Sequence, residues 1–214
     1  MGDIFQEVDE EVRRDRLNKL WKDYGRYIIV GVVAIVLGTA AAVGWREYIE
    51  QRRGADSDRF VAAIEIADDG KHAKAAAAFR ALSDDAGEGY ALFARFRTAD
   101  ALKESGDLEG AVQTFEEIAS DNAVDDLYRG LATLLLIMHT IDDGAPEALR
   151  VRLMPLLALD GVWRHSAREL SGALALRTGD KALAKTEFQK LADDLLAPPG
   201  ARRRAAEILQ ILGN

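Results

Sequence analysis

"LFARFRTADALKESGDLEGAVQTFEEIA", residues 92–119, sets Ala and Leu at steps of three and four on both sides of a central glycine. That step is the period of an α-helix, and Gly106 breaks it where a chain would reverse. The stretch therefore reads as two helices joined by a tight turn. Ala111 and Phe115 stand five and nine positions after the glycine, and Ala99 stands seven before it. The same spacing returns at Ala63, Gly70, Ala75 and Phe79, and at Gly172, Gly179, Ala184 and Phe188 within "SARELSGALALRTGDKALAKTEFQKLA" (166–192). Ile137, Gly144, Leu149 and Leu153 make a degenerate copy, so the turn glycines lie 36, 38 and 35 residues apart. Small residues let two antiparallel helices approach closely, glycine turns the chain, and the phenylalanine fills the gap to the next pair.

From residue 54 onward no alternating pattern interrupts this helical period, so the expected fold is all-α. A recurring helix–turn–helix of this length resembles the tetratricopeptide repeat. The resemblance implies a short helical-hairpin solenoid of about four pairs over residues 57–214. Pro155 falls inside the expected second helix of the third pair and must end or kink it. "APPGARRRAAEILQIL" starts a last helix behind Pro198 and Pro199, which would cap the stack.

Upstream lies "RYIIVGVVAIVLGTAAAVGWREY" (26–48), uncharged from Tyr27 to Trp45. Nineteen helical residues reach about 28 Å, close to the hydrocarbon thickness of a bilayer. Trp21, Tyr24 and Tyr27 mark one boundary and Trp45 and Tyr48 the other, where amphipathic rings favour the headgroup level. Residues 27–45 therefore read as one transmembrane helix. Ala40-Ala41-Ala42 keeps a cleaved signal open as the alternative, although the apolar stretch is long and begins late for one. Residues 13–26 carry six basic groups and residues 46–60 carry four, a bias that places the N-terminus in the cytoplasm and the rest outside. Gly31, Ala34, Gly38 and Ala42 form a small-residue face fit for another transmembrane helix, or fall there by chance. In the tail, 1–26, Ile4, Val8, Val12, Leu17, Leu20, Trp21 and Tyr24 make an amphipathic helix with one shift in its stripe, and Asp3 and Gln6 resemble a capping box. The tail lies along the membrane surface or serves as a cytoplasmic docking site. Residues 46–56 form a juxtamembrane linker.

The chain has 28 basic and 36 acidic residues; residues 1–53 hold nine of each, leaving 19 and 27 for the remainder. That excess of negative charge disfavours nucleic acid as a partner. With no cysteine, thiol catalysis and thiolate metal sites are excluded. His72, His139 and His165 lie far apart, with no metal-ligand spacing, phosphate loop or nucleophile motif near them. The doublets Asp68-Asp69, Asp84-Asp85, Asp125-Asp126, Asp142-Asp143 and Asp193-Asp194 could read as paired carboxylates or cation sites, but nearly all fall at expected helix ends, where aspartate caps and turns are ordinary. No enzyme activity, cofactor, metal or small-molecule substrate is expected. The Arg202-Arg203-Arg204 run reads as a solvated helix face or a contact to lipid or an acidic partner.

The order of basic-aromatic tail, single span and short repeat domain resembles the ancillary SecYEG translocon subunit family of bacterial inner-membrane proteins. The words that carry it are "DEEVRRDRLNKLWKDYGRYII" (9–29), "MPLLALDGVWRHSARELSGALALRTGD" (154–180) and "PPGARRRAAEIL" (198–209). The repeat domain is also similar to that of a periplasmic cell-division coordinator. The first resemblance implies a non-enzymatic protein with a periplasmic repeat domain, whose partners are Sec translocon components, a periplasmic chaperone and unfolded exported chains. The second implies a scaffold for envelope or division assembly. In the repeat register, the first helix of each pair lines the inner side, with Phe60, Ile64, Phe93, Phe96, Leu131, Leu134 and Met138 as candidate partner-binding residues. An apolar lining there suits hydrophobic segments; the competing reading makes the same residues core.

Overall fold

The computed structural model describes the backbone of residues 3–158 and 160–213, and within these the side chains from residue 21 onward except that of residue 88. The stripe and capping box expected before residue 21 lie outside the described side chains. Among the described residues every regular element is a helix. The chain divides into two compact units, Met1–Ala55 and Asp56–Asn214.

The first unit is formed by helix α1 (Asp3–Asp68), whose residues from 56 on belong to the second. All side chains from Arg26 to Tyr48 are exposed, and within the apolar window nothing is buried. α1 is thus one helix long and apolar enough to cross a membrane. The Thr39 hydroxyl donates to the Ile35 carbonyl at 2.8 Å, so it carries no unmet donor on this surface. At the lower flank the Trp21 ring lies over Gly25, 3.4 Å from where a β-carbon would stand. At the upper flank Trp45 and Tyr48 pair with ring centroids 6.0 Å apart, and the Arg52 guanidinium lies 6.0 Å from the Tyr48 ring centre.

The second unit stacks helical hairpins. Residues 56–68 pair with α2 (His72–Asp85), α3 (Glu88–Glu104) with α4 (Leu108–Ser120), α5 (Asp126–Thr140) with α6 (Pro146–Leu153), and α7 (Arg164–Arg177) with α8 (Lys181–Asp193). α9 (Pro199–Gly213) follows as the cap, opening with a proline where the first helical turn needs no amide donor. The turns of pairs one, two and four repeat one geometry. Gly70, Gly106 and Gly179 have φ of +76°, +92° and +76°, a left-handed conformation that side-chain-bearing residues resist. Around Gly106, the glycine amide donates to Lys103 O at 3.0 Å and the Asp107 amide to Leu102 O at 2.9 Å, satisfying carbonyls that the ending helix leaves open. Gly70 and Gly179 have the same two bonds. Asp107 and Asp180 then cap the following helices, accepting from the Gly110 and Leu183 amides at 2.9 and 3.0 Å.

The repeated side chains form the core. Ala75, Ala111 and Ala184 are fully buried, and Phe79, Phe115 and Phe188 are the largest side chains removed from solvent. A β-carbon on Gly172 would stand 2.8 Å from the Phe188 ring, so the small residue seven before the turn is what admits the phenylalanine. The third pair departs from this plan. Gly144 lacks the left-handed φ, and its turn is held instead by Arg177, which donates to the carbonyls of Ile141 and Gly144. α6 stops at Leu153, and a 3-10 turn, Met154–Leu157, takes Pro155. Beyond it Trp163 returns onto α5, its indole N–H donating to Leu127 O at 2.8 Å. A β-carbon on Gly130 would stand 2.6 Å from that indole, so glycine makes room for it. At the far end Ala197, Ala201 and Ala205 bury against Phe188 and Leu191, closing the last pair.

Candidate partner-binding face

Successive first helices are joined through rings. Phe60 meets Tyr90 at 5.8 Å and Phe93 meets the edge of Tyr128 at 6.1 Å, while Phe60 also lies edge-on to Phe79 of its own pair at 5.4 Å. Such contacts are favourable beyond the area they bury. On α3 the exposed positions recur at Gly89, Phe93, Asp100 and Glu104, with half-buried Arg97 between them, which is one stripe of a helix. On α5 the matching stripe runs through Leu127, Leu131, Leu135 and Met138.

The seven residues expected on this side separate into three groups. Phe93 and Met138 are 50% and 55% exposed and available to a partner. Leu131 is half-buried. Phe60, Ile64 and Phe96 are partly buried against the core; Phe96 tilts onto Phe115 at 6.3 Å and serves the interior as much as the surface. Leu134 is a core residue, 3% exposed, and is removed from the candidate lining. It sits in the buried cluster against which Leu156, Leu157 and Trp163, from the segment after α6, also pack. Val61 and Leu127, 49% and 40% exposed, were missed, although apolar residues at helical spacing on a first helix are the available signal. Gly31, Ala34, Gly38 and Ala42 are all exposed, and a β-carbon on Gly31 or Gly38 would meet nothing within 4 Å.

Charges brace the face from behind. Asp56 is 6% exposed and accepts from the Gly87 amide at 3.0 Å, capping α3 from another helix. Arg59 bonds Asp85 at 2.9 Å, and Arg95 bonds Asp121 at 2.8 Å. The Arg95 guanidinium and the Ala123 amide hold the Asp121 carboxyl below its ordinary range. At the last pair, the Leu196 amide, His165 at 3.0 Å and Arg164 at 3.1 Å do the same for Asp194. His139 stacks on Phe115 with ring centres 5.8 Å apart, and burial, with Lys103 nearby, pushes its pKa down against the pull of Asp100. Among the described residues no group of three or more His, Cys, Asp or Glu is placed to hold a metal ion. A polar crevice of about 520 Å³ between α2, α3 and α4 is lined by Arg80, Asp84, Arg95, Gln113 and Glu117, with Thr98 and Thr114 buried at its wall.

The family model described as tetratricopeptide repeat-like domain matches residues 18–210. The chain belongs to that family. The tetratricopeptide-like hairpins read from the glycine spacing are therefore those of the fold, and domains of this kind are typically protein-interaction scaffolds. The match begins ahead of the apolar stretch, so it takes in residues 18–26 and the long apolar helix along with the hairpins. No curated protein and no solved structure matches the chain.

Proposed function

We propose that this tetratricopeptide-like protein is a membrane-anchored, non-catalytic interaction module that assists protein export at the Sec translocon together with periplasmic chaperones. Residues 27–45 cross the bacterial inner membrane, 1–26 stay in the cytoplasm, 46–56 link, and 57–214 lie in the periplasm. One observation carries this reading: the family match runs without a break from residue 18, through the apolar helix, to residue 210. The last part of the tail, the apolar helix and the hairpins fall within one family match, which supports an anchor that stays with the repeat domain. The aromatic residues at both ends of the apolar stretch support a span, and the excess of basic residues before it supports the orientation. Phe93 and Met138 supply the partner contact, with Leu131 and the edges of Phe60, Ile64 and Phe96 beside them. The small face of Gly31, Ala34, Gly38 and Ala42 suits a neighbouring transmembrane helix.

The test is a mild-detergent pull-down of the full chain from inner membranes. Recovery of Sec translocon components or a membrane-bound chaperone, lost with Phe93→Asp, is the expected result. Recovery of division or wall-synthesis proteins in their place would assign the chain to an envelope scaffold and reject the export role.

A further inference from the structure

We infer that the turn between α8 and α9 is a lipid-contacting tip, its Leu195-Leu196 pair inserting into the interfacial layer of the membrane that the apolar helix crosses; the inference rests on the anchored reading above. Leu195 and Leu196 are 84% and 78% exposed, more than any other large apolar side chain among the described residues, those of the apolar helix included. Their position is fixed by the backbone. The Ala197 amide donates to Asp194 O at 3.0 Å and the Leu196 amide to the Asp194 carboxylate at 2.9 Å, so the leucines are the two corner residues of a tight turn. Both feet of the turn are held: Asp194 by His165 at 3.0 Å and Arg164 at 3.1 Å, and Ala197 by burial in the cluster of Phe188 and Leu191. The repeat supplies its own comparison. In pair two the same turn stands at the same place, fifteen residues after the turn glycine, with the Val124 amide on Asp121 O and the Ala123 amide on the Asp121 carboxylate, both at 3.0 Å. Its exposed corner is Asn122-Ala123. The turn therefore does not need leucine, and two of them at its corner serve a contact outside the unit.

The place of the tip says what that contact is. Because the helices alternate in direction, the loops after α2, α4, α6 and α8 lie at the end of the stack opposite the glycine turns. The chain enters the unit at that same end, where the Asp56 carboxylate accepts from the Gly87 amide at 3.0 Å. Eleven residue steps separate Trp45 from Asp56, so this end is tethered within about 40 Å of the span boundary even for a fully extended linker. Such a tether keeps the tip at a high effective concentration at the bilayer, and two leucines suffice there where an untethered domain would need a larger apolar face. A convex two-residue tip also enters a fluid interface without the shaped pocket that a protein partner must supply. On the neighbouring loop Val162, two residues before Arg164, is 73% exposed and extends the apolar contact. Arg202 and Arg203, one turn into α9, have no acidic partner among the described residues, whereas Arg204 is engaged by Glu169; the free pair complements lipid phosphate. Asp160 and Asp193, exposed on the same two loops, oppose it, so burial of the leucines is the principal attraction and charge the secondary one.

The experiment uses the full chain in liposomes that contain lipid bearing a nitroxide near the headgroup. The chain has no cysteine, so one introduced cysteine carries the only fluorophore: Pro198→Cys beside the tip, Lys181→Cys at the glycine-turn end, or Gly44→Cys in the apolar stretch. Quenching is expected at 198 and 44 and not at 181. Leu195→Asn with Leu196→Ala, the corner that pair two already uses, should return quenching at 198 to the level at 181 with an unchanged melting temperature. Leu195→Asn alone repeats the test if the double variant melts early. Arg202→Gln with Arg203→Gln should lessen quenching at 198 only where the liposomes contain anionic lipid, and no change there would overturn the charge component. Quenching at 44 with none at 198, or quenching at 198 that survives loss of the leucines, would overturn the inference and leave the anchor standing. Energy transfer between labels at 198 on two copies, in place of quenching by lipid, would overturn it in favour of a second copy of the chain. Absence of quenching at 44 would overturn the anchor and the tip together.

Discussion

Gly172 is fixed by one distance, the 2.8 Å between its missing β-carbon and the Phe188 ring. Gly172→Ala must displace a buried ring, and a thermal melt should register a loss of about 1–3 kcal/mol. Gly89, helical and exposed with open space around it, is the control: Gly89→Ala should be neutral or stabilise by up to about 1 kcal/mol. His139 makes a prediction of a different kind. Burial and Lys103 lower its pKa from 6.5, so the folded protein keeps the ring neutral where the unfolded chain protonates it. Its stabilising contribution is therefore complete above 6.5 and is lost as acid carries the pH down through the folded-state value. Melting temperature should fall as the pH drops below about 6.5, and His139→Phe should flatten that dependence. An unchanged slope in the variant would assign the acid sensitivity elsewhere. The sequence singled out the glycine by its place in the repeat, but the stacking of His139 on Phe115 depends on where α5 crosses α4.

At the scale of the element, each turn joins two requirements that the words "GD" at 106–107 and 179–180 already contain: a left-handed residue and a side chain that caps the next helix. Asp107→Ala removes the 2.9 Å bond to the Gly110 amide and should cost about 1 kcal/mol, read as a shifted denaturation midpoint. The third pair reaches the same hairpin by other means. With no left-handed glycine at its turn, it depends on Arg177 from the next pair, so Arg177→Ala should loosen the Ile141–Gly144 turn and speed its amide hydrogen exchange. Arg177→Lys should recover little, since a single ammonium does not span two carbonyls as a guanidinium fork does. Equal exchange in wild type and both variants would show that the turn needs no brace. Pro155 announced a break in this pair. That Trp163 would return across Gly130 and bury Leu134's neighbourhood was not announced, because it is a contact between segments 33 residues apart.

For the whole molecule, the decisive property is whether α1 remains attached. A reporter joined after Asn214 should be active only outside the cytoplasm, and N-terminal sequencing of the mature protein should begin ahead of the apolar stretch. A new terminus after Ala42 would reject the anchor and leave residues 1–26 without a role. The sequence by itself determined the all-helical class, the number of hairpins, their turn glycines and the one long apolar segment, because these follow from short-range period and from the backbone freedom of single residues. Only the tertiary structure decided which side chains of the candidate face are free. Phe93 and Leu134 are both apolar residues of first helices, yet one is half exposed and the other closed off. Leu134 belongs to the buried cluster against which Leu156, Leu157 and Trp163 also pack, whereas Phe93 lies outside it and meets Tyr128 edge-on. Burial is a property of neighbours brought from elsewhere in the chain, and helical period is not.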